Sequence, residues 1–146
     1  MLSNQLATTS DYALVLALVL DIWEQSVLAT HDFLQPEDVT FYKTQIPQFL
    51  AQTVLRIWSL DNQPIGFSGT NGQELEMLFL DPHYIGGGYG HQILDWLINN
   101  QRINKIDVNE QNQRAKAFYL KHGFTVASRS QRDGFDKPYP ILHLTR

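Results

Sequence analysis

QELEMLFLDPHYIGGGYGHQILDWLINNQ, residues 73–101, sets the plan of this chain. An apolar strand runs through Asp81 and Pro82 into Gly86, Gly87, Gly88 and Gly90, and an amphipathic helix begins near Tyr89 or Gly90. Glycines remove Cβ atoms from the strand-to-helix turn, so backbone N–H groups can close on a ligand that side chains would hold away. The helix start aims its unpaired amides and the positive end of its dipole at the same spot. Together they describe a socket for a phosphate or pyrophosphate. No Gly-Lys-Ser/Thr follows, as a P-loop needs, and the helix lacks the third glycine of a dinucleotide fingerprint. A different phosphate carrier is called for.

Upstream, VLRIWSL (54–60) and PIGFSGT (64–70) read as strands joined by a turn over Asp61 to Pro64, and Asn71-Gly72 is a hairpin signal leading into the strand at 73–80. Downstream, NKIDVN (104–109) is a short strand and Gln111 to His122 a helix stopped by Gly123. FTVASRSQR and YPILHLTR then close the chain as strands around the turn-rich RDGFDKP. Near the start, Ser10 and Asp11 offer capping oxygens to a helix from about Tyr12 to Leu28. Its first half, ALVLALVL, is apolar on all sides and is expected to be buried; Trp23 and Val27 continue the core stripe, and Asp21, Glu24 and Gln25 mark an exposed side. Pro36, with Glu37 and Asp38, opens a second helix, which Pro47 is expected to break or kink. The order of elements predicts an α/β (α+β) sandwich, single-domain over 1–146, with a mixed sheet. The strand before the glycines and that at 104–109 should be parallel neighbours joined by the helix.

The chain has no cysteine, which excludes disulfides, thiolate zinc sites and a cysteine acyl-enzyme, and suits a reducing cytoplasm. The longest apolar run, Tyr12 to Leu20, falls short of the roughly 20 residues of a membrane span. No Lys or Arg precedes it, so it does not read as a secretory signal. Charge is uneven: residues 1–100 carry two Lys/Arg against eleven Asp/Glu, residues 101–146 nine against four. The basic end suits an anionic carrier and the acidic end a cationic acceptor, unless both are merely solvated faces. Net acidity without a basic stripe argues against nucleic acid. The five histidines show no helical pair at ligand spacing, so no metal is expected.

These residues carry a family resemblance. Leu78 and Leu80 at the strand end, then Gly88 and Gly90, are similar to the acyl-CoA loop of the GNAT N-acetyltransferases. VNEQNQRAKAFYLKHGF resembles a second signature of that family at Val108, Asn112, Ala115, Phe118, Tyr119, Gly123 and Phe124. With THDFL near the start and KPYPILHL at the end, the likeness spans nearly the whole chain and points to the small bacterial YjaB-like branch. It implies a first strand over residues 2–7, which alternate only weakly, a mostly antiparallel sheet whose central parallel pair splays apart, and helices on both faces. Ile85 departs from the family, standing where Gln or Arg would touch the pyrophosphate. The backbone socket stands without it.

The resemblance implies acetyl-CoA as co-substrate and an amine as acceptor: protein lysine, N-terminal amine, polyamine, aminoglycoside or small amino compound. Pyrophosphate would be held by Ile85, Gly86, Gly87, Gly88, Tyr89 and Gly90, and the pantetheine amides by the strand edge Leu78, Phe79 and Leu80. His91 adds a phosphate contact or is an exposed helical histidine. Asn109 and Asn112 either cap the last helix or touch the pantetheine arm. An ammonium near pKa 10.4 must lose a proton before attack. Glu74 and Glu76, expected on one strand face, are the candidate bases, and which of them acts stays open. A backbone N–H near Leu80 would meet charge on the carbonyl oxygen. Tyr119 would donate to the departing thiolate. His31, Asp32 and Tyr139 fall where the family recognises the acceptor, although the first two could simply brace their loop. Without cysteine, transfer is expected by direct attack in a ternary complex. The alternative on the same fold is a silent CoA-binding sensor or interaction module, and both monomer and homodimer are open.

Overall fold

The computed structural model describes residues 1–7 and 12–146, so the cap expected at Ser10 and Asp11 lies outside the described residues. Seven strands, β1 (Leu2–Leu6), β2 (Val54–Leu60), β3 (Gln63–Asn71), β4 (Glu74–Leu80), β5 (Lys105–Asn109), β6 (Thr125–Ser130) and β7 (Ile141–Thr145), accompany four helices. The helices are α1 (Tyr12–Thr30), α2 (Pro36–Ala51), α3 (Tyr89–Gln101) and α4 (Gln113–Lys121). The strands form one sheet in the order β1-β2-β3-β4-β5-β7-β6. Among the described residues, only β4 and β5 run parallel. The mixed sheet with one central parallel pair is the architecture expected from the element order.

Each face of the sheet holds its own core. Ile93, Leu94 and Leu97 of α3 and Tyr119 of α4 pack on Ile65, Leu75, Ile106 and Leu144. On the other face Val19, Ile22, Trp23 and Val27 of α1, with Ile46 and Leu50 of α2, cover Leu55 and Phe67. Residues 19, 22, 23, 26 and 27 of α1 make a buried stripe at helical spacing. The expectation that ALVLALVL is buried all round fails: Leu14 is 76% exposed, because α1 lies on one face of the sheet with nothing over its outer side among the described residues. α1 is also longer than the apolar run within it, nineteen residues with a mean hydropathy of 1.6 in its most apolar window, enough by length and composition to cross a membrane. Here its inner stripe packs on protein. α2 does not break at Pro47 either. A single missing N–H is tolerated because Ile46 and Leu50, on either side of the proline, are both anchored in the core.

The register between β3 and β4 steps from Gly69–Met77 to Thr70–Leu75, which makes Glu76 a bulge residue. As a result Leu75 shares a core with Leu78 and Leu80, while Met77 and Phe79 join the opposite one. Strict alternation therefore breaks between Leu75 and Met77, so a period of two does not by itself fix the face of Glu76, although the Glu74 charge acts on its carboxyl.

Candidate active site

β4 and β5 pair only at Glu74–Lys105 and Leu75–Ile106. Past Leu75 the strands part, so polar backbone groups of β4 on the β5 side face a gap instead of a ladder. Two clefts open along it. The larger, about 520 Å³, runs from Ile85 and the glycine turn past Leu78 and Leu80 to α4. The smaller, about 180 Å³, has Glu76, Asp107 and Asn109 in its wall. His31, Leu78, Phe79, Asn112, Ala115 and Tyr119 line both.

The glycine turn forms one end of the larger cleft. Gly86 and Gly88 take φ values of +90° and +83°, the left-handed region that disfavours any side chain. A Cβ at either would meet no atom within 4 Å, so backbone conformation, not crowding, calls for glycine and leaves space beside the turn. Gly88 caps α3 with no side-chain bond, and no acidic residue sits in the first turn. The opening amides of α3 are thus unpaired by the helix itself. Gly87 and Tyr89 stand outside the cleft wall, and a Cβ on Gly87 would strike the Tyr89 ring at 2.8 Å. Arg114 and Lys121 of α4 bring positive charge to the same cleft. His91 also lines it, but its Nδ1 lies 2.7 Å from His122 Nε2, and His122 Nδ1 is 3.2 Å from Asp95. Burial lowers the His122 pKa, opposed by the Asp95 charge.

Tyr119 is 9% exposed and packs edge-on against Phe118 and Phe124. Burial raises its phenol above the ordinary value, so it remains an O–H donor. Across the shared wall, Thr30 Oγ1 donates to the Ser26 carbonyl at 2.7 Å and lies 2.8 Å from His31 Nδ1. Burial lowers the His31 pKa to about 4, the neighbouring Asp32 charge acting against it. Asn112 Oδ1 accepts the Ala115 N–H at 3.2 Å, capping α4, and its Nδ2 is 3.4 Å from His31 Nε2. Asn112 is therefore a helix cap and a cleft residue at once.

An acetyltransferase (GNAT) domain model matches residues 53–126. The Escherichia coli peptidyl-lysine N-acetyltransferase YjaB is 40% identical over 126 residues, 84% of this chain and 84% of that protein. The chain belongs to the GNAT acetyltransferase family. The solution structure of apo YjaB from Escherichia coli matches it with a TM-score of 0.86 at 34% identity, covering 99% of this chain and 97% of that one. YncA of Salmonella typhimurium, solved with its cofactor acetyl-CoA, shares the fold with a TM-score of 0.63 at 16% identity, covering 100% of this chain and 93% of that one.

The residues of this GNAT chain fit an acyl-CoA. A glycine turn open at Gly86 and Gly88, two cations in the same cleft and the apolar lining of Leu78, Leu80, Ala115 and Phe118 are the kinds of group that suit a diphosphate followed by a pantetheine arm. Ile85 lines the cleft with an apolar side chain, which offers an anion no contact.

Other sequence-predicted residues of the GNAT chain are spread more widely. Glu76 lines the smaller cleft, where burial first, then Glu74 and Asp107, raise its pKa. Glu74 lines neither cleft, nor does the exposed Asp32. Tyr139 also lies in neither wall: it is 4% exposed, donates its hydroxyl to Asp38 and accepts the Gln35 N–H at 3.1 Å. Arg114, Lys121 and Asp107 escaped the sequence reading. The first two sit seven residues apart, two turns of α4 on one side, a spacing that could have revealed them. Asp107 gave no local signal.

Proposed function

We propose that this protein transfers the acetyl group of acetyl-CoA to a primary amine, with a lysine side chain of a protein as the favoured acceptor, by direct attack while both substrates are bound. The reading is carried by one observation: a basic, glycine-ended cleft and an acidic cleft share a wall that contains Tyr119. The name of the 40%-identical relative supports lysine as the acceptor class. When bound, acetyl-CoA supplies the activated acyl group and a thiol leaving group. The backbone from Gly86 to Gly90, with Arg114 and Lys121, holds the diphosphate; the edge of β4 from Leu78 to Leu80 aligns the pantetheine amides. Glu76 and Asp107 make the smaller cleft negative and draw in an ammonium, and Glu76, or Glu74 through water, receives its first proton. An amide near Leu80, free where the strands part, meets negative charge on the carbonyl oxygen. Tyr119 gives a hydrogen bond or proton to the sulfur. With no cysteine in the chain, direct attack needs no acyl-enzyme on sulfur. A cytoplasmic location is part of the proposal.

The test is a thiol-release assay with acetyl-CoA and a panel of lysine peptides, peptide N-termini, polyamines and aminoglycosides, with mass spectrometry of the products. A lysine peptide gaining one acetyl group, with intersecting initial-rate lines, is the expected result. Saturable coenzyme binding with no transfer to any amine would instead identify a silent CoA-binding module. Parallel lines would exclude direct attack.

A further inference from the structure

We infer that His31 is a catalytic residue whose Nε2 takes the proton shed by the amine nitrogen as it bonds to the acyl carbon. The inference rests on the proposed reading of the two clefts as donor and acceptor sites. Reacting atoms delivered from two clefts must meet where the clefts meet. Of the residues lining both, Leu78, Phe79 and Ala115 have no exchangeable side-chain proton, and the amide of Asn112 is neither acid nor base near neutral pH. Among the described residues that leaves His31 and Tyr119. The phenol is held in its protonated form, so accepting a proton falls to the imidazole. Glu76 reaches only the smaller cleft.

Hydrogen bonding fixes which nitrogen is bare. The Thr30 hydroxyl spends its proton on the Ser26 carbonyl, so at 2.8 Å its oxygen receives the His31 Nδ1–H. The lone pair is then on Nε2. Its neighbour is the Asn112 NH2, because Asn112 Oδ1 is committed to Ala115; at 3.4 Å that contact is long, and an incoming amine N–H can replace it. The rings of Phe33 and Phe79 lie 5.3 and 6.3 Å from the imidazole, both tilted against it.

An acceptor ammonium must lose two protons. The first leaves a group with pKa near 10.4, a task for which an imidazole lowered to about 4 is too weak. The second leaves a nitrogen made much more acidic by its bond to the acyl carbon, and needs an acceptor that is neutral at working pH. His31 is such an acceptor. The N–C bond forms and the C–S bond breaks; the nitrogen's proton passes to Nε2 and the sulfur takes the Tyr119 proton. His31 then releases its proton to solvent, and the phenol regains one.

The experiment compares wild type, His31→Gln and His31→Ala in turnover with a lysine peptide, alongside acetyl-CoA binding by calorimetry. Gln keeps a neutral hydrogen-bond acceptor but cannot take the proton. A weak base places the expected loss in kcat at the low end for general-base catalysis, about 100-fold, with coenzyme affinity within twofold and the Ala variant partly rescued by added imidazole. A Gln variant retaining more than about a third of wild-type kcat, or an Ala variant indifferent to imidazole, would overturn the assignment. Loss of folding and coenzyme binding in both variants would mark His31 as a packing residue instead. A wild-type protein that binds no coenzyme or acetylates no amine sinks the functional reading, and this inference with it.

Discussion

Leu75 and Ile106 are the last residues paired between β4 and β5. One position further, the bulge at Glu76 shifts the register of β4 on β3, so β4 loses one neighbour and slips against the other within the same short stretch. Asn112 and α4, which follow β5, border the clefts along this gap. Tyr119 and Asn112 line both of them, although Tyr119 belongs to the core on that face.

Tyr119→Phe should separate proton donation from packing. The ring keeps its contacts with Phe118 and Phe124, and only the O–H is lost. Turnover is expected to fall about 100-fold while acetyl-CoA affinity stays within twofold. Steady-state kinetics with calorimetry decide it: unchanged turnover with weakened coenzyme binding would reduce Tyr119 to a structural aromatic.

Gly88→Ala places a Cβ at a φ of +83° on the turn that opens α3. There is room for the methyl, so the cost is backbone strain, roughly 1–2 kcal/mol, relieved by tilting the amides of the turn. Coenzyme affinity is expected to drop about tenfold. Gly72→Ala, at φ +59° in the β3–β4 hairpin and equally unobstructed, supplies the control: similar destabilisation with unchanged binding. Equal loss of affinity in both variants would mean that the glycine turn has no special part in holding the ligand.

The turn and the strands around it could be read from sequence because their signals are local. Asn71-Gly72 is a hairpin in any context, and a glycine cluster between a strand and an amphipathic helix has few uses. Outcomes that depend on a distant neighbour were not readable. Leu14 sits in an apolar run whose composition does not say which side will meet the sheet. Pro47 is tolerated because of what Ile46 and Leu50 touch. Glu76 gives no sign of its bulge, since an extra residue in one strand is defined only by its partner. The His31 tautomer depends partly on local partners, Thr30 and Ser26, and partly on Asn112 from the other side of the molecule. Tyr139 has the composition of a pocket residue, yet its hydroxyl is occupied by Asp38 and Gln35.

Tyr139→Phe should therefore act on stability and not on acceptor recognition. It removes the link that, with the 2.7 Å Lys137–Asp38 ion pair, ties the segment before β7 to the start of α2. The same two partners, Lys137 first, hold the Asp38 carboxyl below its usual range. A fall of roughly 3–5 °C in melting temperature is expected, with the amine KM within twofold of wild type. A large rise in KM at unchanged stability would return Tyr139 to the acceptor site.

His31 should also make the fold acid-sensitive in a defined window. Its pKa is near 4 in the folded chain and 6.5 ordinarily, so as pH falls below 6.5 the unfolded chain takes up a proton that the folded chain refuses. Its contribution is therefore complete above about pH 6.5 and is lost as pH falls toward 4, a swing on the order of 3 kcal/mol. His122, lowered chiefly by burial, acts in the same direction; Glu76, raised by burial, acts in the opposite one. Urea midpoints measured from pH 8 to 4.5 should fall more steeply for wild type than for His31→Gln. Parallel curves would mean that the imidazole titrates as freely as one in water, and the buried, neutral ring on which its assignment as a base relies would not exist.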